Sequence, residues 1–148
     1  MHPLSGNVLV VCTGNICRSP MAERMLQAAS GPEGPDRVES VGIGALVGAG
    51  ADPHAVAVMD EIGLDLRDHT ARSIDSVDVA RFDLILVMER GQQAWLARHF
   101  PELRGRTFRI GHWQERDVPD PFRRSKAAFR AARDQLQEAV FQWQGMPA

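Results

Sequence analysis

Apolar and amphipathic stretches alternate along the chain. Two runs, Asn7 to Val11 and Asp83 to Met88, are almost continuously apolar, which is typical of strands buried on both faces of a sheet. Arg37 to Val41 and Thr107 to Ile110 predict two further strands. Because helical patterns separate these strands, the order indicates crossover βαβ units and a mainly parallel α/β sheet that is covered on both sides.

The first helix is expected directly after the first strand. Ser19 is a favourable N-cap residue, Pro20 suits the first helical position, and apolar residues recur at helical spacing as far as Ala29. We expect this helix to stop near Gly31 and Pro32. A short turn therefore carries the chain from the carboxyl end of a strand to a helix N-terminus, which is where ligands bind in such sheets.

Three more helices are predicted downstream. One opens at Asp52-Pro53 and closes at Gly63, one covers Gly91 to His99, and the last runs from about Ser125 to Trp143. The last helix carries one apolar stripe that we expect to pack in the core: Phe129, Leu136, Ala139, Val140 and Trp143. The glycine-rich connection Gly42 to Gly50 lies between two elements of one unit, which favours a loop at the edge of a site over a domain linker.

The composition limits the possible functions. The 148 residues fit one domain, expected to span residues 1–148, and nineteen acidic against seventeen basic residues give a net charge of −2. That balance argues against nucleic acid as a partner. No apolar run approaches the roughly 20 residues that span a bilayer, and the N-terminus does not resemble a signal peptide, so we expect no membrane insertion and a cytoplasmic location. In that reducing compartment Cys12 and Cys17 would remain thiols.

The turn after the first strand, residues 12–19, has the chemistry of an anion-binding site. Successive backbone N–H groups in such a loop can surround a tetrahedral anion such as phosphate, and the helix dipole adds positive potential. Arg18 can bind two phosphate oxygens through its planar guanidinium and can stabilise transition-state charge. The same positive field favours the thiolate form of Cys12, which makes Cys12 the candidate nucleophile.

Other interpretations of this loop fit the sequence less well. A cysteine at the end of a buried strand is usually a small core residue, and a lone arginine usually lies on the surface. Cys12 and Arg18 have five residues between them and lie between an apolar strand and a Ser-Pro helix start, which makes coincidence the weaker interpretation. The Walker pattern G-x-x-x-x-G-K-[ST] is absent. Cys12 and Cys17 lack a second Cys or His pair at zinc spacing, so we expect neither a metal nor a cofactor.

The loop and several later segments resemble one family over nearly the whole chain. Val10-Val11-Cys12-Thr13-Gly14-Asn15-Ile16-Cys17-Arg18-Ser19-Pro20-Met21-Ala22-Glu23 resembles the signature of low-molecular-weight protein tyrosine phosphatases. The later matches, in order, are Ser40-Val41-Gly42, Ala51-Asp52-Pro53, His69-Thr70-Ala71-Arg72, the run from Asp83 to Met88, and Asp120-Pro121-Phe122. Gly44 to Gly48, Gly111-His112-Trp113 and Pro119 to Ser125 further resemble the bacterial branch associated with exopolysaccharide export and tyrosine autokinases. The resemblance implies a four-stranded parallel sheet with helices on both faces in a single domain.

The resemblance implies a mechanism that needs an acid as well as a nucleophile. Thiolate attack on phosphotyrosine leaves a tyrosyl oxygen that needs a proton. Asp120, stiffened by the flanking Pro119 and Pro121, is preferred to Asp117 as this acid, although Asp-Pro taken alone is more often an ordinary turn. The same carboxylate would then activate water to hydrolyse the cysteinyl phosphate of Cys12.

The resemblance also implies supporting residues around the nucleophile. The phosphate-binding loop is completed by Thr13, Gly14, Asn15, Ile16, Cys17 and Ser19. Ser19 can donate a hydrogen bond to the sulfur of Cys12 and can also cap the helix. Ser40 and His69, with Glu23 nearby, are expected to join Asn15 in a hydrogen-bonded network that holds the loop, although without the resemblance each is an ordinary surface or turn residue.

The substrate pocket is predicted less sharply than the loop. Ile16, Leu46 and Phe122 can supply the apolar walls that a phosphotyrosine needs. Protein arginine phosphatases of similar sequence tend to have threonine at the position of Ile16, so tyrosine is favoured over arginine. The expected partner is a phosphotyrosine protein, and the bacterial resemblance indicates a tyrosine autokinase of polysaccharide export.

Two other classes of function stay open at this point. Arsenate reductases share the fold and the loop, but those that resemble this family use an additional cysteine outside the loop, and the chain has none. Cys12 and Cys17 could still sense oxidants by forming a disulfide. A phosphotyrosine-binding module without catalysis would need neither Cys12 nor Asp120, and the presence of both argues against it.

Overall fold

Four parallel strands form the centre of the molecule. The computed structural model describes residues 2–29 and 34–145. The strands are β1 (Asn7–Cys12), β2 (Arg37–Gly42), β3 (Leu84–Val87) and β4 (Thr107–Arg109). Their order across the sheet is β2-β1-β3-β4, with Val10 of β1 in register with Ser40 of β2 and Leu86 of β3. The predicted α/β fold with a four-stranded parallel sheet is confirmed.

Four α-helices connect and cover the strands. They are α1 (Arg18–Ala28), α2 (Pro53–Asp60), α3 (Arg90–His99) and α4 (Lys126–Gln144), each close to its predicted position. Gly31 and Pro32, the predicted stop of the first helix, lie outside the described residues. Four short 3-10 helices were not predicted, because three to six residues are too few to show a hydrophobic period: Ile74–Ser76, Val79–Arg81, Pro101–Arg106 and His112–Gln114.

Two apolar layers enclose the sheet, as alternation along β1 requires. Val8 and Val10 pack in the larger layer with α1, α2 and α4, whereas Leu9 and Val11 pack in the other with residues of α3 and the 3-10 helices. The predicted stripe of α4 is buried in the larger layer throughout. None of the helices in residues 2–29 and 34–145 has the length and apolar character needed to cross a membrane.

An ion-pair cluster fixes α4 against the end of α2. Glu61 lies one residue beyond α2 and accepts hydrogen bonds from Arg130 and Arg133 of α4, with Arg130 Nη2 at 2.7 Å from Glu61 Oε2. These two arginines lower the pKa of Glu61 to about 2. The cluster therefore fixes α4, which follows the segment that carries Asp120, to the end of α2.

Candidate active site

The loop between β1 and α1 turns its carbonyl groups outward. Each carbonyl oxygen of residues 12–16 accepts a hydrogen bond from the surrounding scaffold. The donor–acceptor pairs are Ile43 N to Cys12 O (3.0 Å), Gly44 N to Thr13 O (2.9 Å), Leu46 N to Gly14 O (3.1 Å), His69 Nε2 to Asn15 O (2.7 Å) and Asp52 N to Ile16 O (2.9 Å). In a trans peptide the C=O and the following N–H point in opposite directions, so these contacts direct the N–H groups into the loop. The arrangement is an anion cradle.

The glycine-rich connection is the outer support of this cradle, as the sequence indicated. Three of its residues donate to loop carbonyls. Its first residue must be glycine, because a Cβ on Gly42 would lie 2.4 Å from the carbonyl oxygen of Thr13. The close approach of the two backbones therefore depends on the absence of a side chain at Gly42.

Asn15 bends the cradle around the nucleophile. Its φ of 60° is in the left-handed region, which asparagine tolerates better than most residues with a Cβ. In this conformation the Asn15 N–H donates to Cys12 Sγ at 3.3 Å. The backbone itself therefore contributes a donor to the sulfur, which stabilises negative charge on that atom.

The buried amide of Asn15 holds the bend in place. Its Nδ2 donates to Ser19 Oγ at 2.8 Å and to Ser40 Oγ at 3.0 Å, while its Oδ1 accepts from the Arg72 N–H at 2.8 Å. Loop, helix, strand β2 and the segment after α2 are thus joined through one side chain. The predicted association of Asn15, Ser40 and His69 around the loop is present in the structure.

Ser19 does not cap α1, so that part of the prediction is wrong. The helix already includes Arg18, its N-cap residue is Cys17, and no side chain among the described residues caps it. Ser19 lies two residues after the N-cap position, and its Oγ instead lies 2.8 Å from Cys12 Sγ in a hydrogen bond. The uncapped N–H groups at the start of α1 are the kind that bind anions.

Glu23 and His69 extend the network behind the loop. Ser40 Oγ donates to Glu23 Oε1 at 2.6 Å, and His69 Nδ1 lies 3.9 Å from the same oxygen. Burial raises the pKa of Glu23 above its ordinary value of 4.5 despite the hydrogen bond from Ser40, which lowers it. Glu23 touches the nucleophile only through Ser40, Asn15 and Ser19, so its place is that of a supporting residue.

Arg18 joins the cradle to the acid segment. Its side chain is only 2% exposed. Nη1 donates to the carbonyl oxygen of Val118 at 2.7 Å and pairs with the carboxylate of Glu89, while Nη2 lies 3.7 Å from Asp120 Oδ2. A buried guanidinium needs such partners. The contacts place its positive charge between the loop and the predicted acid.

The environments of Asp117 and Asp120 separate their roles. Asp117 Oδ1 accepts from Arg109 Nη1 at 3.0 Å and from the Arg90 N–H at 3.1 Å, so Asp117 is held away from the cradle. Asp120 accepts only from the Phe122 N–H, at 3.0 Å, among the described residues and keeps a 48% exposed side chain. The geometry is consistent with the preference for Asp120 over Asp117.

One cavity of about 160 Å³ brings the predicted reactive groups together. It is lined by Cys12, Thr13, Gly14, Ile16, Cys17, Arg18, Gly44, Leu46, Asp120 and Phe122. Leu46 and Phe122 remain partly exposed at its rim. Burial raises the pKa of the Cys17 thiol, with the Asp52 charge adding to the effect, so Cys17 is a neutral wall residue rather than a second thiolate. The described residues hold no cluster of three or more His, Cys, Asp or Glu that could bind a metal ion.

Two residues of this site were missed by the sequence reasoning. Glu89 pairs with Arg18, and Gln92 Nε2 donates to Thr13 Oγ1 at 3.2 Å while its Oε1 accepts from the Met88 and Glu89 N–H groups. A usable signal existed for Glu89, because it directly follows the apolar run that ends at Met88 and so lies at the carboxyl edge of the sheet. Gln92 lies in the first turn of α3, and no pattern in the sequence marks it as part of the site.

The fold and the cradle define the class of protein. The model of the family described as "Low molecular weight phosphotyrosine protein phosphatase" matches residues 7–146, so the chain belongs to this family. The low molecular weight protein-tyrosine-phosphatase Wzb of Escherichia coli K12 is 48% identical over 138 residues, covering 93% of this chain and 92% of Wzb. Relatives of this kind confirm the predicted placement in the bacterial, exopolysaccharide-associated branch.

Solved structures agree with this assignment. Vibrio vulnificus Wzb in complex with benzylphosphonate is 41% identical, with a TM-score of 0.87 over 95% of this chain and 97% of that one. The YwlE arginine phosphatase from Geobacillus stearothermophilus is 32% identical, with a TM-score of 0.86 over 93% of this chain and 90% of that one. The fold is therefore shared by phosphatases of different specificity, and specificity has to be argued from the site.

Proposed function

We propose that this protein hydrolyses phosphotyrosine through a phosphocysteine intermediate at Cys12, and that residues 1–148 form a single phosphatase domain. The observation that carries the proposal is the common cavity of Cys12, Arg18 and Asp120 over a loop whose N–H groups are directed inward. A nucleophile, a charge-stabilising cation and an acid are the three components that phosphoryl transfer to sulfur requires.

The first chemical step transfers the phosphoryl group to Cys12. The thiolate attacks phosphorus, the bond between phosphorus and the tyrosyl oxygen breaks, and Asp120 gives its proton to that oxygen. Arg18 Nη1 is already occupied by Glu89 and Val118, so Nε and Nη2 form the guanidinium edge that remains for two phosphate oxygens. The N–H groups of the cradle stabilise the charge on the remaining oxygens.

The second step releases inorganic phosphate. Asp120, now ionised, takes a proton from a water molecule, the water oxygen bonds to phosphorus, and the bond between phosphorus and sulfur breaks. The hydrogen bonds from Ser19 and from the Asn15 N–H stabilise the departing thiolate. The same two donors serve attack and departure, because the sulfur carries negative charge at both ends of the cycle.

The cavity walls favour an aryl phosphate. Ile16, Leu46 and Phe122 supply apolar surface, and the relative bound to benzylphosphonate holds an aromatic ring attached to a phosphonate. The tyrosine phosphatase relatives are also more similar in sequence than the arginine phosphatase, at 48% against 32% identity. We therefore favour tyrosine over arginine as the phosphorylated residue.

The physiological substrate we propose is an autophosphorylating tyrosine kinase of a polysaccharide-export system. The support is the similarity to Wzb-type phosphatases and the matching segments around Leu46 and Asp120. Incubation of the phosphorylated kinase with this protein should release phosphate from tyrosine, and the Cys12→Ser variant should not release it. Retention of all phosphotyrosine by the kinase would exclude it as the substrate.

Phosphate release from matched phosphotyrosine, phosphoarginine and phosphoserine peptides tests the activity itself. We expect release from phosphotyrosine that persists in EDTA and is lost in Cys12→Ser, because serine is too weak an acid to supply an anionic nucleophile. Cys17→Ser is the comparison variant, since it alters the other cysteine of the loop, and it should lose much less turnover than Cys12→Ser.

The other outcomes separate the alternatives. Preferential release from phosphoarginine would reassign the specificity to the arginine phosphatases. Binding of the phosphotyrosine peptide without release, with Cys12 confirmed as reduced, would indicate a binding module. Full turnover by Cys12→Ser would disprove the phosphocysteine mechanism.

A further inference from the structure

Arg123 has an unusual backbone conformation beside the cavity. Its φ is 65°, and it occupies the third position of a four-residue turn that is closed by the Arg124 N–H donating to Pro121 O at 2.9 Å. A positive φ at this position favours glycine or asparagine, because a larger side chain strains the backbone. A strained residue next to a reactive centre indicates a functional constraint on its side chain.

The side chain of Arg123 packs on a ring that lines the cavity. Its Cζ lies 5.3 Å from the centroid of the Phe122 ring, in a cation–π contact, and Phe122 lines the cavity together with Asp120. The stacked guanidinium keeps its N–H donors available for an anion. Arg123 is therefore the neighbour of a residue of the cavity wall, which is where residues that flank a bound phosphotyrosine are expected.

The charge around this position is unbalanced in favour of an anionic partner. Arg123 and Arg124 are both exposed, and no carboxylate among the described residues lies within 4.0 Å of either guanidinium. The chain as a whole has a net charge of −2, so this basic pair is a local feature. Positive groups at the rim of a site attract and orient oppositely charged ligands.

A second groove shares the acid with the cavity. It has a volume of about 200 Å³ and is lined by Pro119, Asp120, Pro121 and Arg124 and by residues of α4. Asp120 borders both the groove and the cavity. The groove gives an extended peptide a path along the acid segment, with Arg124 in its wall and Arg123 next to Arg124 in the chain.

We propose that Arg123 is a specificity residue that selects phosphotyrosine with an oxyanion side chain, either a carboxylate or a second phosphate, on an adjacent residue. This proposal rests on the proposed tyrosine phosphatase activity. Arg123 pairs with the neighbouring oxyanion while the phosphotyrosine occupies the cradle. It contributes to substrate binding and takes no part in bond breaking.

Three phosphotyrosine peptides test the proposal, with alanine, glutamate or a second phosphotyrosine on the flanking positions. For the intact protein we expect kcat/KM to be about fivefold higher for the glutamate peptide than for the alanine peptide, mainly through KM, as for a partly exposed ion pair. The increase in kcat/KM over the alanine peptide should be larger for the doubly phosphorylated peptide, because phosphate carries more negative charge than a carboxylate. The preference should decline as salt rises from 0.05 to 0.5 M.

Arg123→Gly removes the side chain and fits the positive φ, so the turn is preserved. The ratio of kcat/KM between glutamate and alanine peptides should fall to about one in Arg123→Gly and should be partly restored in Arg123→Lys. Arg104→Ala is the matched control, because Arg104 is an exposed arginine before the amino end of β4, whereas the cradle follows the carboxyl end of β1. It should keep the ratio of the intact protein.

The outcomes separate this proposal from the activity on which it rests. Equal kcat/KM for the three peptides, or a ratio unchanged in Arg123→Gly, would overturn the role of Arg123 while the phosphatase activity stands. Absence of hydrolysis for every phosphotyrosine peptide would overturn the proposed function and this inference with it. A preference for the second phosphate alone would identify phosphate, and not carboxylate, as the recognised oxyanion.

Discussion

Replacing Asn15 tests how the cradle keeps its shape. The buried amide makes three hydrogen bonds, to Ser19, to Ser40 and from the Arg72 N–H, while the backbone has a φ of 60°. Asn15→Gly removes the amide but fits the backbone, whereas Asn15→Ala removes the amide and also strains the backbone. The two variants therefore separate the hydrogen bonds from the conformation.

The magnitudes follow from the partners that each variant leaves behind. The hydroxyls of Ser19 and Ser40 keep other partners, so each lost bond costs about 0.7 kcal/mol, whereas the Arg72 N–H loses its acceptor at about 1.5 kcal/mol. The amide thus accounts for about 3 kcal/mol in both variants. Strain of the left-handed backbone adds about 1.5 kcal/mol to the loss of stability in Asn15→Ala. The greater entropy of the unfolded chain adds about 0.7 kcal/mol to the loss in Asn15→Gly. Alanine should be the less stable by about 0.8 kcal/mol.

Urea unfolding followed by tryptophan fluorescence measures both effects as changes in the free energy of unfolding. Asn7→Ala is the matched control, because the Asn7 amide makes one exposed hydrogen bond, to the Arg81 carbonyl oxygen. It should change stability by less than about 1 kcal/mol. Turnover of p-nitrophenyl phosphate should fall in both Asn15 variants, since the Asn15 N–H and Ser19 Oγ both lose their fixed positions at the sulfur.

Any of three results would contradict this reasoning. If Asn15→Gly were as stable as the intact protein, the amide network would not hold the loop. If Asn15→Gly were less stable than Asn15→Ala by more than the error of the measurement, the positive φ would not be a source of strain. Unchanged turnover in both variants would show that the sulfur does not depend on the position of Asn15.

Three further predictions concern charged groups. Asp120→Asn should slow hydrolysis of aryl phosphates most for poor leaving groups, measured as kcat over a series of substituted phenyl phosphates, and a uniform loss would exclude Asp120 as the proton donor. The pKa of Glu61 is lowered to about 2, so its ion pairs stabilise the fold above pH 4.5 and are lost as the pH falls towards 2. In urea unfolding, the loss of stability in Glu61→Gln should therefore become smaller over that pH range, and a loss that stays constant would exclude these pairs as its cause. The pH dependence from Glu23 has the opposite sign, because burial raises its pKa: its contribution to stability is present below pH 4.5 and is lost as the pH rises. Glu23→Gln should therefore gain stability relative to the intact protein as the pH rises above 4.5, and a stability difference independent of pH would contradict this.

The strands and helices could be predicted because their signals are local. Asn7–Cys12 is apolar at every position after the first, since both faces of β1 are buried, and the stripe of α4 has the spacing of one helical face. The start of α1 was misplaced because the preference of Ser19 for capping is also local, whereas the burial of Arg18 and the hydrogen bond of Ser19 to Cys12 are tertiary. At this position the tertiary contacts around the nucleophile outweigh the local preference of Ser19 for capping.

The sequence indicated the reactive groups and part of their support, whereas Glu89 and Gln92 were missed. Cys12 and Arg18 stand together in one short turn, so their spacing is visible in the sequence. Glu89 lies 71 residues from its partner Arg18, and Gln92 lies 79 residues from Thr13, so no local pattern connects them. Glu89 lies in the turn that follows β3 and Gln92 lies in the first turn of α3, and the parallel order of the strands brings both beside the cradle.

Several positions that violate local rules lie where the chemistry is proposed to occur. Of the three described residues other than glycine with a positive φ, Asn15 and Arg123 lie in or next to the site and Glu115 lies outside it, and Arg18 is a buried guanidinium. Asn15 and Arg18 are stabilised by contacts from other segments of the chain. Among the described residues, Arg123 is held by its own turn and by the neighbouring Phe122 ring. Glycine would adopt the positive φ of this position at a lower free-energy cost, yet the chain has arginine there. That contrast is why the side chain of Arg123, and not its backbone, is the feature to test against substrates of different charge.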